Sequence, residues 1–334
     1  MDESPLSAFL TSGAGPPLAA FWGALWGSFA NVVIERLPRG ESVMWPASHC
    51  LGCNARIRFY DNVPLLSYFL LRGRCRACGA RYSARYVLVE ALGAVLALLC
   101  FHSFVTLGMG SPIERLATFF WTHGFAIGLL CIFFIDLRTM IIPDSITLIL
   151  LILMAPASIA LGRVTWQEAA IGAATGFVAV WLLRELWLRL RKVEGIGLGD
   201  AKLLGMVGGV LGWQALPAVV LLGSLVGLAV AVPLRLMGRS LVASQPYRGT
   251  AVREAGADPE SERGEGGAGG GPGEASAGKE GESATEGEPL EFDEVPPGAV
   301  PFGPFLTLAA ILVLYWGSGL NERLGGIMDG LLGL

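Results

Sequence analysis

The chain has 334 residues, 53% of them hydrophobic and 16% charged, a balance that excludes an ordinary soluble domain and marks a polytopic membrane protein. Its formal charge of -4 is unevenly spread: residues 240–297 hold thirteen acids and four bases, so the remainder is net basic. Nothing in that remainder calls for nucleic acid, because basic residues beside membrane spans report orientation or anionic lipid.

The first apolar run, at about 17–35, has no basic segment before it and no A-x-A site after it, so it reads as a retained first span rather than a signal peptide. Further runs long enough to cross ~30 Å of hydrocarbon fall at about 86–107, 116–135, 141–161, 168–188, 215–237 and 300–317, with a shorter Gly-rich run at 201–213. The expected fold is an all-α polytopic membrane protein of about eight transmembrane helices. A small four-cysteine module separates the first two.

Between Arg36 and Arg85 there are nine arginines against Glu41 and Asp61. The positive-inside rule makes this loop cytoplasmic and the N-terminus external, and the later loops agree. The short run at 201–213 is the weak point, since its failure to cross would move everything after it to the other side. The expected organisation is 1–36, N-terminal segment and first span; 37–85, metal-binding module; 86–239, transmembrane core; 240–297, insertion; 298–334, last span. The Gly-, Glu-, Ser- and Pro-rich insertion holds too little apolar surface to offset ordering entropy and is expected to be a solvated, disordered linker.

In the module, Cys50-Leu51-Gly52-Cys53 and Cys75-Arg76-Ala77-Cys78 are two C-x2-C pairs separated by 21 residues. Two such pairs can place four thiolates around a tetrahedral Zn2+, with Gly52 and Gly79 suited to the tight turns. In a reducing cytoplasm metal is favoured over disulfides. Four thiolates close the site, so the ion is structural and supplies folding energy to a loop too small for a core of its own. His49 adjoins Cys50 but is not needed for a full ligand set. Cys100 and Cys131 stand alone inside apolar runs and read as core thiols.

Two aspartates carry the chemistry. Asp136 closes one apolar run in Phe133-Phe134-Ile135-Asp136-Leu137-Arg138, and Asp200 opens another in Gly195-Ile196-Gly197-Leu198-Gly199-Asp200. A carboxylate at the edge of the hydrocarbon is costly and points to a functional site. Both fall at the cytoplasmic ends of their spans, where they could share a proton and activate water as paired carboxylates do. The alternative is that each is an interfacial aspartate balanced by Arg138 or Lys202. Spacing alone leaves both open.

Six blocks then occur in one order. They are Gly27-Ser28-Phe29-Ala30-Asn31-Val32-Val33-Ile34-Glu35-Arg36-Leu37-Pro38; the cysteine module enclosing Asn62-Val63-Pro64-Leu65-Leu66-Ser67-Tyr68; Arg85-Tyr86-Val87-Leu88-Val89-Glu90; Ile135-Asp136-Leu137 with Ile142-Pro143-Asp144; Gly197-Leu198-Gly199-Asp200-Ala201-Lys202; and Pro301-Phe302-Gly303-Pro304-Phe305. This arrangement resembles the bacterial type IV prepilin peptidases, membrane aspartic proteases of the GxGD class. The resemblance implies an inner-membrane enzyme that removes the leader from type IV prepilins and pseudopilins on the cytoplasmic side. It also implies methylation of the new N-terminus from S-adenosylmethionine, Asp136 and Asp200 as the catalytic pair, and Asp144 as a motif neighbour. No G-x-G-x-x-G signature in a strand-to-helix context accompanies the methyl transfer, so its cofactor-binding residues stay unknown. A proton- or ion-coupled transporter with a zinc docking module is the rival class, and a scaffold that binds prepilins without cutting them is the third. Inverted repeats would favour the transporter, and none is evident.

Overall fold

The computed structural model describes residues 12–50, 52–192, 197–237 and 301–316, apart from the Phe59 side chain. The insertion at 240–297, the first eleven residues, the residues after 316, and Gly195 and Ile196 of the glycine motif lie outside the described residues. Among the described residues nine α-helices follow one another: α1 (Gly15–Arg36), the short α2 (Leu66–Leu70), α3 (Ala84–Cys100), α4 (Pro112–Thr139), α5 (Asp144–Ala160), α6 (Trp166–Arg191), α7 (Leu198–Leu211), α8 (Ala215–Leu236) and α9 (Gly303–Trp316). Among the described residues extended pairing is confined to two isolated bridges in the module, His49 with Arg56 and Arg74 with Arg81.

All eight expected apolar runs are helical, and among the described residues five helical segments are long and apolar enough to cross a membrane: α1, α3 together with the π-helical residues Phe101–Thr106 that continue it, α4, α6 and α8. The chain is a multi-pass membrane protein. The helix α7 has 14 residues. At ~1.5 Å per residue it reaches ~21 Å, short of the ~30 Å hydrocarbon core. Capping boxes begin the two longest helices, Ser111 with Glu114 on α4 and Thr165 with Glu168 on α6. Each satisfies two of the amides that a helix start leaves without partners.

The central helix is α4. Phe125, Leu129 and Ile132 are fully buried there, against Leu203, Val207 and Val210 of α7 and Leu306, Ala309 and Ala310 of α9 within one continuous core. Glycines let neighbouring backbones touch. A Cβ on Gly172 of α6 would overlap the Gly208 carbonyl of α7, and one on Gly208 would overlap that of Gly172. Gly23 and Gly27 of α1 meet Gly93 and Glu90 of α3 in the same way. Among apolar tails, close packing replaces the hydrophobic effect as the force between helices, and small residues spaced by four permit it.

One end of this bundle collects the polar groups. Glu35 at the end of α1 takes Arg39 at 2.5 Å, Arg85 at the start of α3 at 2.6 Å and Arg138 at the end of α4 at 3.1 Å. Asp144 at the start of α5 takes Lys202 in the first turns of α7 at 2.7 Å. The cysteine module connects α1 to α3 at this same end.

Candidate active site and metal centre

Each C-x2-C pair forms a knuckle closed by its own backbone. The Cys50 amide donates to Ala55 O (2.9 Å) and the Cys75 amide to Ala80 O (2.8 Å), while Asn54 and Gly79 return to the Cys50 and Cys75 carbonyls. The amides of Gly52 and Ala77 approach Cys50 Sγ and Cys75 Sγ at 3.4 Å each. The residue after each pair takes the left-handed conformation, Asn54 at φ +56° and Gly79 at φ +70°. Gly79 therefore serves the turn as expected, whereas Gly52 does not. Asn54 does that work in the first knuckle, and asparagine tolerates it better than most residues. A Cβ on Gly52 would instead press to 3.2 Å of Ala80 Cβ, where the second knuckle packs on the first.

The four sulfurs converge. Cys50 Sγ lies 3.8 Å from Cys78 Sγ, Cys53 Sγ lies 4.0 Å from Cys75 Sγ, and all four fall within 4.8 Å of one another. Ligands ~2.3 Å from a tetrahedral zinc stand about 3.8 Å apart, so the set fits a closed metal site. A disulfide needs ~2.05 Å, and all six cysteines are free. The amides of Cys78 and Ala77 pull the Cys75 thiol down to about 6, while Cys53, despite the Ala55 amide, is pushed up by Cys78, Cys50 and Cys75, so the crowded sulfurs gather negative charge that a cation would relieve. His49 stays outside the cluster, with Nδ1 3.3 Å from Ala47 O. Arg76, inside the second pair, grips Asp61 through Nε (2.9 Å) and Nη2 (2.6 Å) and holds that carboxyl below its usual range. Cys100 and Cys131 are buried in the bundle, as their apolar surroundings lead one to expect.

The second cluster is assembled from three helices. Asp136, 4% exposed, sits in the last turn of α4, which ends at Met140 in the left-handed conformation with its amide on Asp136 O. Asp200, half-buried, occupies the first turn of α7, and its charge acts directly on Asp136. Gly303, the first residue of α9, donates its amide to the Asp136 carboxylate. Any side chain on Gly303 would overlap Asp136 Oδ2. The same added Cβ would lie 3.0 Å from Ile142 Cδ1, and a Cβ on Gly199 would lie 3.1 Å from Ile142 Cβ. Ile142 thus fills the space behind both glycines.

The competing partners are engaged elsewhere. Arg138 turns to Glu35 and Lys202 to Asp144, so neither base balances Asp136 or Asp200. At these helix ends the charge of Asp200 reaches the Asp136 carboxylate, which is braced by a backbone amide. Such a pair can share one proton and polarise a water molecule held between its members. Asp144 is exposed and tied to Lys202, which sets it apart from the pair.

Comparison with known proteins bears on both clusters. Residues 21–104 match the model of the bacterial peptidase A24 N-terminal domain, and residues 124–232 match that of the type IV leader peptidase family. The prepilin leader peptidase/N-methyltransferase of Aeromonas salmonicida (strain A449) is 38% identical over 245 residues, covering 66% of this chain and 81% of the relative. The chain belongs to the type IV leader peptidase family. Relatives of the same name from Burkholderia pseudomallei (strain 1026b) and Neisseria gonorrhoeae are each 36% identical, covering 70% of this chain and 82% and 86% of theirs. No solved structure matches the chain. The transporter reading gains no support from these matches. Within this leader peptidase family member the first model takes in α1, the cysteine module and α3, while the second takes in most of α4 and runs into α8. Gly303 lies beyond both matched segments. Its bond to Asp136 went unforeseen, although a glycine between Phe302 and Pro304 at a helix start was the available signal. Glu35 as a three-arginine junction was missed too. A lone acid ending an apolar span near several arginines was its signal.

Proposed function

We propose that this protein cuts the leader from type IV prepilins or pseudopilins and methylates the new N-terminus, with Asp136 and Asp200 as the catalytic pair. The relatives' shared name and the family membership support the two activities. The meeting of Asp136 and Asp200, with both nearby bases committed elsewhere, carries the residue assignment. In the proposed reaction the two carboxylates hold one proton between them. The ionised member accepts a proton from water as the water attacks the scissile carbonyl, and the protonated member donates toward the developing oxyanion. The Gly303 amide fixes the Asp136 carboxylate while the charge moves. Proton transfer to the leaving amine completes the cleavage without a covalent enzyme intermediate.

The arginine-rich module places this end of the bundle on the cytoplasmic side of the inner membrane in the proposal. Division into module 37–85 and core 86–239 follows the same scheme. Cys50, Cys53, Cys75 and Cys78 would hold Zn2+, which when bound ties the two knuckles together and supplies folding energy. No residue is assigned to S-adenosylmethionine, because the described residues present no strand, glycine-rich loop and helix in succession.

The test is leader cleavage of a prepilin by membranes containing Asp136→Asn or Asp200→Asn protein. Each change should abolish cleavage while the protein accumulates normally. Normal cleavage by either variant would overturn the assignment.

A further inference from the structure

The cysteine module exposes large apolar side chains that its small size does not explain. On α2, Leu66, Phe69 and Leu70 stand on one face at helical spacing and are 55%, 69% and 70% exposed. Near the start of the module, Met44 and Trp45 are 87% and 77% exposed. Each group is tied to the membrane end of a spanning helix. The Leu65 amide, directly before α2, donates to Glu90 Oε2 at 2.8 Å. Glu90 is six residues into α3, which puts it about 9 Å inside the start of that apolar helix. At the other site Arg36, in the last turn of α1, donates to Ser42 O at 3.1 Å. The Ser42 hydroxyl in turn accepts the amides of Met44 and Trp45 at 3.3 and 3.2 Å.

Cationic groups flank the first site. The Arg72 amide closes the turn onto Phe69 O, and Arg74 pairs backbone with Arg81 across the bridge. All three side chains are exposed, and no ion pair engages them among the described residues. By contrast Arg76 is committed to Asp61 and Arg85 to Glu35.

We propose that the module lies on the inner-leaflet surface. Leu66, Phe69 and Leu70, and separately Met44 and Trp45, dip into the boundary between headgroups and acyl chains, and Arg72, Arg74 and Arg81 bind anionic lipid phosphates. Continuity with the spans favours a lipid occupant, since both apolar groups are bonded to helix segments that already meet the bilayer. Charge complementarity favours anionic headgroups over zwitterionic ones. Tryptophan and phenylalanine beside arginine are the side chains that settle at such an interface. The inference rests on the multi-pass architecture and is independent of the peptidase assignment.

The test uses the full chain in nanodiscs of phosphatidylcholine, with or without phosphatidylglycerol. The photo-reactive p-benzoylphenylalanine replaces Trp45, Phe69 or Leu70 one at a time. Mass spectrometry should find lipid adducts at all three positions, and the yields at 69 and 70 should rise with phosphatidylglycerol. Replacing Arg72, Arg74 and Arg81 by glutamine should remove that rise, with anionic preference dropping about fivefold for each arginine lost. Adducts to protein alone, the absence of lipid adducts at these positions, or yields indifferent to phosphatidylglycerol in the unaltered chain would overturn the proposal.

Discussion

The cysteine module and the aspartate cluster reach their geometry by opposite routes. In the module, two four-residue knuckles form from local amide bonds, and the sulfurs meet because each turn is already shaped. The aspartate cluster has no local shape. Asp136, Asp200 and Gly303 come from α4, α7 and α9 and meet only when the bundle packs. A locally encoded site should therefore fail through its own residues, and a packed site should fail through residues that touch no substrate.

The sharpest break in the comparison is Cys50→Ser with Cys53→Ser. About one metal ion per chain should be lost, and with it on the order of 10 kcal/mol of binding energy that is also folding energy for the module. Metal analysis and proteolysis of the 37–85 segment would read this, and a metal-free intact protein would sink the site. Acid should act the same way, because Cys50, Cys53, Cys75 and Cys78 hold the metal only as thiolates. Metal retention, followed by a chromogenic chelator, should fall as protons displace the ion, and a site that keeps its metal in strong acid would contradict the reading.

Next in size is Gly303→Val. Its side chain would displace the Asp136 carboxylate, and a misplacement of that kind costs on the order of 100-fold in turnover. Cleavage kinetics should show kcat falling with little change in protein level. Gly172→Leu should instead force α6 from α7 and cost about 2 kcal/mol of stability, visible as a lower Tm in detergent. A smaller effect is expected of Gly79→Ala, about 1 kcal/mol from placing a Cβ on a left-handed residue. Gly52→Ala, free of that conformational cost, should perturb metal retention less.

The same contrast explains what could be read from the chain alone. The knuckles were legible because C-x2-C spacing is itself the geometry, although the roles of Gly52 and Asn54 were not, since the left-handed position falls after the second cysteine. Apolar runs marked every helix but α2 of the module. The run at 201–213 was already the weakest of them, and the structure adds the reason it is apolar: hydropathy reports burial, and the 14-residue α7 is buried by protein on α5 and α6. The pairing of Asp136 with Asp200 stayed open on spacing alone. The proposal for it leans on where Arg138 and Lys202 go, and their partners, Glu35 and Asp144, are 103 and 58 residues away. Gly303 could not be tied to Asp136 from sequence, since only packing brings the start of α9 to the end of α4.

The central claim is that two carboxylates act as one unit, and a double-mutant comparison addresses it most directly. Prepilin cleavage is measured for Asp136→Asn, Asp200→Asn and the doubly changed protein. Each single change should lower the rate on the order of 10^4-fold, and the double change should be no worse than either alone. Losses that multiply, or one variant that still cleaves at the normal rate, would mean that the two aspartates do not share the reaction.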